Sequence, residues 1–233
     1  MVYLMVEQQF AKYPWCQRTI RGIFEEVRKR RIHVQEVSEL LGGAEERSCV
    51  LLVGASEEWI NQTARGAGSL GLHPIVLSNR ETNSSGLSVS SVKMDIHSSM
   101  ELAVDYLRTL GRERLALFGV NPSASSDLWR ARRFGELTGR EGDVFFLGSS
   151  VNEIFDQFYE KIHRYDGVIC ASDYAAVSLV GRLREKNYAI PEKLYVVGYG
   201  DMFLSRLFRP SITSISDDYE SFGKAELANC AMM

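Results

Sequence analysis

Residues 166–201 read DGVICASDYAAVSLVGRLREKNYAIPEKLYVVGYGD, and the rest of the chain repeats their pattern. The stretch opens with an apolar run, Gly167–Ala171, and closes with another, Leu194–Tyr199. Between them Ala176, Leu179, Val180 and Leu183 recur at helical spacing, which lines up four apolar side chains on one helix face. A strand, a helix and a second strand in this order make a crossover unit with its strands parallel.

Working outward, the same alternation fills the chain. Further strand candidates are Val2–Val6, Ile32–Val37, Cys49–Val53, Pro74–Ser78, Ser88–Met94, Arg114–Phe118, Asp143–Leu147 and Ile212–Ser216. Several are apolar at nearly every residue, as strands covered by helices on both faces must be. Ile20, Ile23, Phe24 and Val27 repeat the helical spacing, and Ile154, Phe155, Phe158 and Ile162 form another stripe. The expected class is α/β with parallel sheets, the strands filling one large sheet or two smaller ones. The polar stretch Asn121–Ser126, NPSASS, is the candidate crossover between two lobes.

Composition narrows the function. The 233 residues are 45% hydrophobic and 24% charged, and 27 basic against 30 acidic groups leave a net charge of −3. A nucleic-acid-binding surface normally carries a basic excess, so that role is not expected of this chain. No run of about 18 apolar residues offers a membrane span, and MVYLMVEQQF lacks the features of a secretory signal, so a cytoplasmic location is expected. The four cysteines, Cys16, Cys49, Cys170 and Cys230, are scattered and read as reduced, buried thiols.

Several motifs are weaker than their letters. Gly66-Ala67-Gly68-Ser69-Leu70-Gly71 matches a dinucleotide fingerprint, but that loop must follow a strand and open a helix. Here a helical segment, 57–65, precedes it and a strand follows, so the glycines end a helix and let it pack closely. Arg28-Lys29-Arg30-Arg31 finishes the first helix, where cations complement the negative end of the dipole. The four histidines, at 33, 73, 97 and 163, stand apart, and no metal-ligand spacing occurs. Gly54-Ala55-Ser56 lacks the second glycine of a nucleophile elbow. Neither a cofactor nor an enzyme reading emerges.

What remains gathers at the C-terminal ends of strands, the edge where parallel α/β sheets bind ligands. Tyr13-Pro14-Trp15-Cys16 opens the first helix, and Trp129–Arg133 follows the strand at 114–118. Ser172 and Asp173 end the strand at 167–171, and Asp201 ends that at 194–199. Trp15 can stack on a sugar or base, Arg132 can fork onto hydroxyls or a carboxylate, and Asp173 can accept from hydroxyls. Structural roles stand beside these: Asp173 can cap the next helix, and Trp15 can fill core.

At these positions the sequence resembles the effector-binding region of the LacI/GalR family of transcription regulators. The resemblance is carried by residues 13–23, by Val-Lys-Met-Asp at 92–95, by 110–119, and by Arg130-Ala-Arg132 with Gly135. The block 166–201, followed by Arg209-Pro-Ser-Ile-Thr-Ser-Ile215, carries it most specifically. It implies a type I periplasmic-binding-protein-like fold of two Rossmann-like lobes, with a small ligand in the cleft and lobe closure as the signal. The implied division is an N-terminal lobe 1–120, a C-terminal lobe 121–214, and a return segment 215–233 packing on the first lobe. By match, Tyr13, Trp15, Cys16, Arg132, Ser172, Asp173 and Asp201 are the ligand-binding candidates. Ser172 stands where the family has Asn, and Gly200 replaces an Asp that often contacts ligand, leaving Asp201.

The family also implies the partners: a carbohydrate-like effector, a second copy of the chain in a homodimer, and operator DNA. DNA would be reached only through a helix-turn-helix domain that this chain lacks, and its C-terminus also stops short of the family's pattern. The expected function is therefore a non-enzymatic, ligand-sensing domain. An extracytoplasmic sugar-binding protein of a transporter is the alternative on the same fold.

Overall fold

The computed structural model describes residues 1–40, 48–77, 89–92, 95–148 and 151–230. They form two compact units, 1–94 with 218–233 and 95–217.

In the first unit, β1 (Val2–Val6), α1 (Pro14–Arg30), β2 (Val34–Glu36), β3 (Cys49–Val53), α2 (Glu57–Ser69), β4 (His73–Leu77) and β5 (Ser90–Val92) follow one another. The strands pair in the order β2-β1-β3-β4-β5, all parallel. Alternation along each strand feeds two cores. Val2, Leu4 and Val6 of β1 and Cys49, Leu51 and Val53 of β3 pack with Ile23 and Val27 of α1. Met5, Val50 and Leu52 face the other way, onto Ile60, Ala64 and Ala67 of α2. A strand apolar throughout is what a sheet covered on both sides requires.

The second unit runs α3 (Ile96–Thr109), β6 (Leu115–Val120), α4 (Ser125–Thr138), β7 (Val144–Phe146), α5 (Val151–Glu160), β8 (Gly167–Cys170), α6 (Asp173–Glu185), β9 (Tyr195–Tyr199), α7 (Phe203–Leu207) and β10 (Thr213–Ile215). Its order is β10-β9-β8-β6-β7, again parallel. Ala116, Phe118, Val168 and Cys170 meet the α5 and α6 stripes, with Phe158 edge-on to Phe118 at 5.3 Å. Leu115, Leu117, Ile169 and Val197 meet Met100, Val104 and Leu107 of α3. After β10 the chain re-enters the first unit as α8 (Tyr219–Cys230).

Every apolar run expected as a strand is one, with ends moved by a residue or two. Ser78, Ser88 and Met94, at the margins of two of these runs, lie outside the described residues. The lobe division differs from the expected one. The first lobe gives way at 94/95 rather than 120/121, because α3 packs on the second sheet and β6 is an interior strand of it. Asn121–Ser126 is accordingly no crossover. It turns β6 into α4 within one unit, with Asp127 accepting from the Asn121 N–H at 3.0 Å and Asn121 accepting from the Ser123 N–H at 2.9 Å. The chain leaves the second unit at 217/218.

The glycine motif lies in the last turn of α2 and just beyond it, and Gly71 takes a left-handed φ of +75°. Gly66 has open space where a Cβ would go, so close packing is not its reason. Close packing does govern the crossing of α1 and α8: a Cβ on Gly22 would stand 2.1 Å from the Glu220 carbonyl oxygen, and one on Gly223 would stand 2.2 Å from that of Thr19. Arg28, Lys29 and Arg30 fill the last turn of α1, and Arg31 caps it at φ 56°.

Candidate functional site

Both sheets present the C-terminal ends of their parallel strands as an edge, and each edge is built differently. In the first unit the chain leaves β1 at Glu7, which is buried. Its carboxylate accepts from the Ala55 N–H at 2.9 Å, the Ser56 N–H at 3.0 Å, the Ser56 hydroxyl and the Gln9 amide. Burial pushes its pKa up, but the bonds from Ser56, Gln9 and Ala55 outweigh burial and hold the carboxyl below the ordinary glutamate value. Glu7 thus ties the loop after β1 to the loop after β3.

That first loop carries the aromatic candidates. Pro14 starts α1 with its φ already helical, and Tyr13 stands before it in extended conformation, 52% exposed. The Phe10 ring lies 5.6 Å from Tyr13 and 5.9 Å from Trp15. Trp15 in turn lies 6.4 Å from Tyr219 at the start of α8, and the Arg18 guanidinium sits 5.5 Å from the Tyr219 ring centre. Trp15 is half-buried, so it both fills core and shows a face. Cys16 is fully buried. Burial, and next the negative Glu7, push its thiol up to about 11, which leaves it protonated and unreactive at neutral pH. Cys16, Cys49 and Cys170 are all buried and none is in a disulfide; the side chain of Cys230 lies outside the described residues.

In the second unit the candidates are present but already engaged. Ser172 caps α6, its hydroxyl accepting from the Ala175 N–H at 3.2 Å. Asp173 is wholly buried; it accepts from the Met202 N–H and from the Ser214 hydroxyl, each at 2.6 Å. Gly198 of β9 makes room for it, since a Cβ there would stand 2.2 Å from the carboxylate. Helix capping therefore belongs to Ser172, while Asp173 holds together the loops after β8 and β9 and the strand β10. Asp201, at φ 46°, pairs with Arg206, whose Nε donates at 2.9 Å.

The two arginines of α4 part company. Arg132 is exposed, pairs with Glu136 at 3.1 Å and lies 5.6 Å from the Trp129 ring centre. Arg130 is buried, bridging Asp127 at 2.8 Å and Asp217 at 3.1 Å, with its guanidinium 4.1 Å over the Tyr199 ring. Two residues along a helix is a turn of about 200°, so the pair cannot share a face. Glu7, Phe10 and Tyr219 were not among the sequence candidates, and Arg130 entered only as part of a motif whose ligand-binding role went to Arg132. Only Glu7 left a clear mark, a carboxylate placed at the end of an apolar strand.

Among the described residues no cluster of three or more His, Cys, Asp or Glu could hold a metal ion. No helix among them is long and apolar enough to cross a membrane.

Residues 104–231, over half of the chain, match the family described as the periplasmic binding protein-like domain. The chain belongs to that family. The periplasmic binding protein-like chain is 31% identical over 90 residues to the HTH-type transcriptional regulator RegA of Clostridium saccharobutylicum. The matched stretch is 39% of this chain and 24% of that regulator, so the chain spans about a quarter of the relative's length. A transcription regulator from Lactobacillus plantarum superimposes with a TM-score of 0.73 at 14% identity, covering 100% of this chain and 89% of that one. The LacI family regulator CCPA from Weissella paramesenteroides with bound glucose gives 0.70 at 16%, covering 100% and 92%. At these identities the two structures speak for the fold, which is the type I periplasmic-binding-protein-like one. The resemblance to LacI-type effector-binding regions is borne out by the family and by its regulator relatives.

Proposed function

We propose that the chain is the ligand-sensing domain of a LacI-type transcriptional regulator, binding a sugar or related small metabolite at the C-terminal edge of its sheets. The observation that carries this is the first edge, where Tyr13 and Trp15 offer ring faces at the end of a parallel sheet and Glu7 holds their loop in place. The regulator relatives and the glucose-bound neighbour support the same reading. Ligand would favour one of two conformations of the domain, and a separate helix-turn-helix domain, paired in a homodimer, would read the change at operator DNA. On the first unit's edge Tyr13 and Trp15 are the residues proposed to touch ligand, with Cys16 buried beside them; on the second unit's own edge the proposed residues are Arg132, Ser172, Asp173 and Asp201. The work of such a domain is binding, not catalysis, in the cytoplasm.

A thermal-shift screen of sugars, nucleosides and amino acids tests this. A true effector at 100 times its Kd adds about 2.7 kcal/mol of stability. Sedimentation at graded concentration checks the dimer. Tight binding of NAD or ATP in place of any small effector would overturn the sensor reading.

A further inference from the structure

The strands β9 and β10 start, at Tyr195 and Thr213, beside a cavity at the end of the second sheet opposite its C-terminal edge. It holds about 120 Å³ between the loop before β9 and the loop before β10. Val180 of α6 and Val196 of β9, both buried, line it on the inside with the half-buried Ile190 and Ile212. Pro191 and Pro210, both exposed, stand at its mouth, and proline has no N–H to offer a ligand. Arg112 donates to the Pro191 and Glu192 carbonyls at 3.1 Å each, and Arg184 donates to the Arg209 carbonyl, so both loops are held in place. Among the described residues none that lines the cavity is charged.

Its polar groups have one proton to spare. The hydroxyls of Tyr106, Tyr195 and Thr213 form a row, 3.0 and 3.2 Å apart, and Tyr195 and Thr213 line the cavity. Three hydroxyls carry three protons, and the two bonds between them use two. With Tyr106 donating to Tyr195 and Tyr195 to Thr213, the Thr213 proton is left for an oxygen outside the row. We infer that the cavity is a binding site for a small neutral molecule of one ring bearing one hydroxyl, a phenol or cyclic alcohol. An apolar cavity of roughly 150 Å³ takes up benzene, so this one seats a single ring and no more. A charged group would find no counter-ion among the lining side chains, and a sugar would leave most of its hydroxyls against valine and isoleucine. The site lies wholly within the second unit and stands apart from whatever occupies the C-terminal edges.

Methyl NMR of the chain titrated with phenol, and with toluene as the same ring without the hydroxyl, is the test. Phenol is expected to bind saturably at about millimolar Kd, shifting the methyl signals of Val180, Ile190, Val196 and Ile212 together. Thr213→Val keeps the side-chain shape and removes the hydroxyl; it should weaken phenol about fivefold and leave toluene unchanged. Ser211→Trp, at an exposed position lining the cavity, should weaken both probes with an unchanged thermal midpoint. No saturable shift at those four residues with either probe, or shifts only elsewhere, overturns the site. Phenol binding indifferent to Thr213→Val overturns the role of the hydroxyl row. The same four signals moving with protein concentration alone would assign the cavity to a side chain of a second copy and overturn the small-molecule site.

Discussion

Asp173 and Glu7 are both buried carboxylates at the ends of strands, and each holds neighbouring loops rather than facing solvent. Removing the Asp173 carboxylate leaves the Met202 N–H and the Ser214 hydroxyl without their acceptor. Asp173→Ala is predicted to lower stability by about 3 kcal/mol, read from a urea midpoint, and so to act on the fold before it acts on any ligand. Glu7 adds a pH dependence of known sign. Its folded pKa lies below its ordinary value, so its ionised form stabilises the fold above the unfolded pKa. That contribution is lost as pH falls through the lower, folded pKa. Glu7→Gln should therefore be less stable than the wild type at neutral pH, with the gap closing as pH falls below the ordinary glutamate value and through the lower folded one, measured by denaturation at each pH. A gap that stays constant with pH would show that the charge of Glu7 contributes nothing.

At the scale of elements, the helix stripes and apolar strands were readable because burial imposes a period on the residues themselves. Ala176, Leu179, Val180 and Leu183 are all buried in α6, as their spacing requires. Less readable was which sheet an element joins. β6 is apolar on every residue whether it belongs to the first lobe or the second, and only the packing of Leu115 and Leu117 on Met100, Val104 and Leu107 places it. The crossing of α1 and α8 was equally hidden, since Gly22 and Gly223 lie about 200 residues apart and neither marks a turn. Gly22→Ala puts a methyl group into the Glu220 backbone and is predicted to cost about 3 kcal/mol. Faster hydrogen exchange confined to α8 and the facing turns of α1 would be its signature. Unchanged exchange there would mean that the helices can separate without cost.

Each of the two lobes has its own pair of cores, so damage to one should not spread evenly. Phe158 is fully buried, with Phe118, Phe145 and Tyr165 around it at 5.3, 5.2 and 5.6 Å. Phe158→Ala is predicted to cost the second lobe about 3–5 kcal/mol. Exchange protection should fall in β6 and β8 while β3 of the first lobe keeps its own. Equal loss in both lobes would show one cooperative unit instead.

Sequence alone determined the elements, the α/β class and which residues stand at the C-terminal ends of the strands, because alternating apolar runs and helical stripes are local consequences of burial. It also placed Tyr13 and Trp15 at that edge, since proline at the first helical position sets where α1 begins. Only the tertiary structure decided that the lobe boundary falls at 94/95, that Arg130 rather than Arg132 is the buried arginine, and that Asp173 is enclosed. Each of these depends on partners far away in the chain: α3 on β9, Arg130 on Asp217, Asp173 on Ser214. Distant pairing leaves no period in the residues near it, so the polar chemistry of the edge became visible only once the chain was folded.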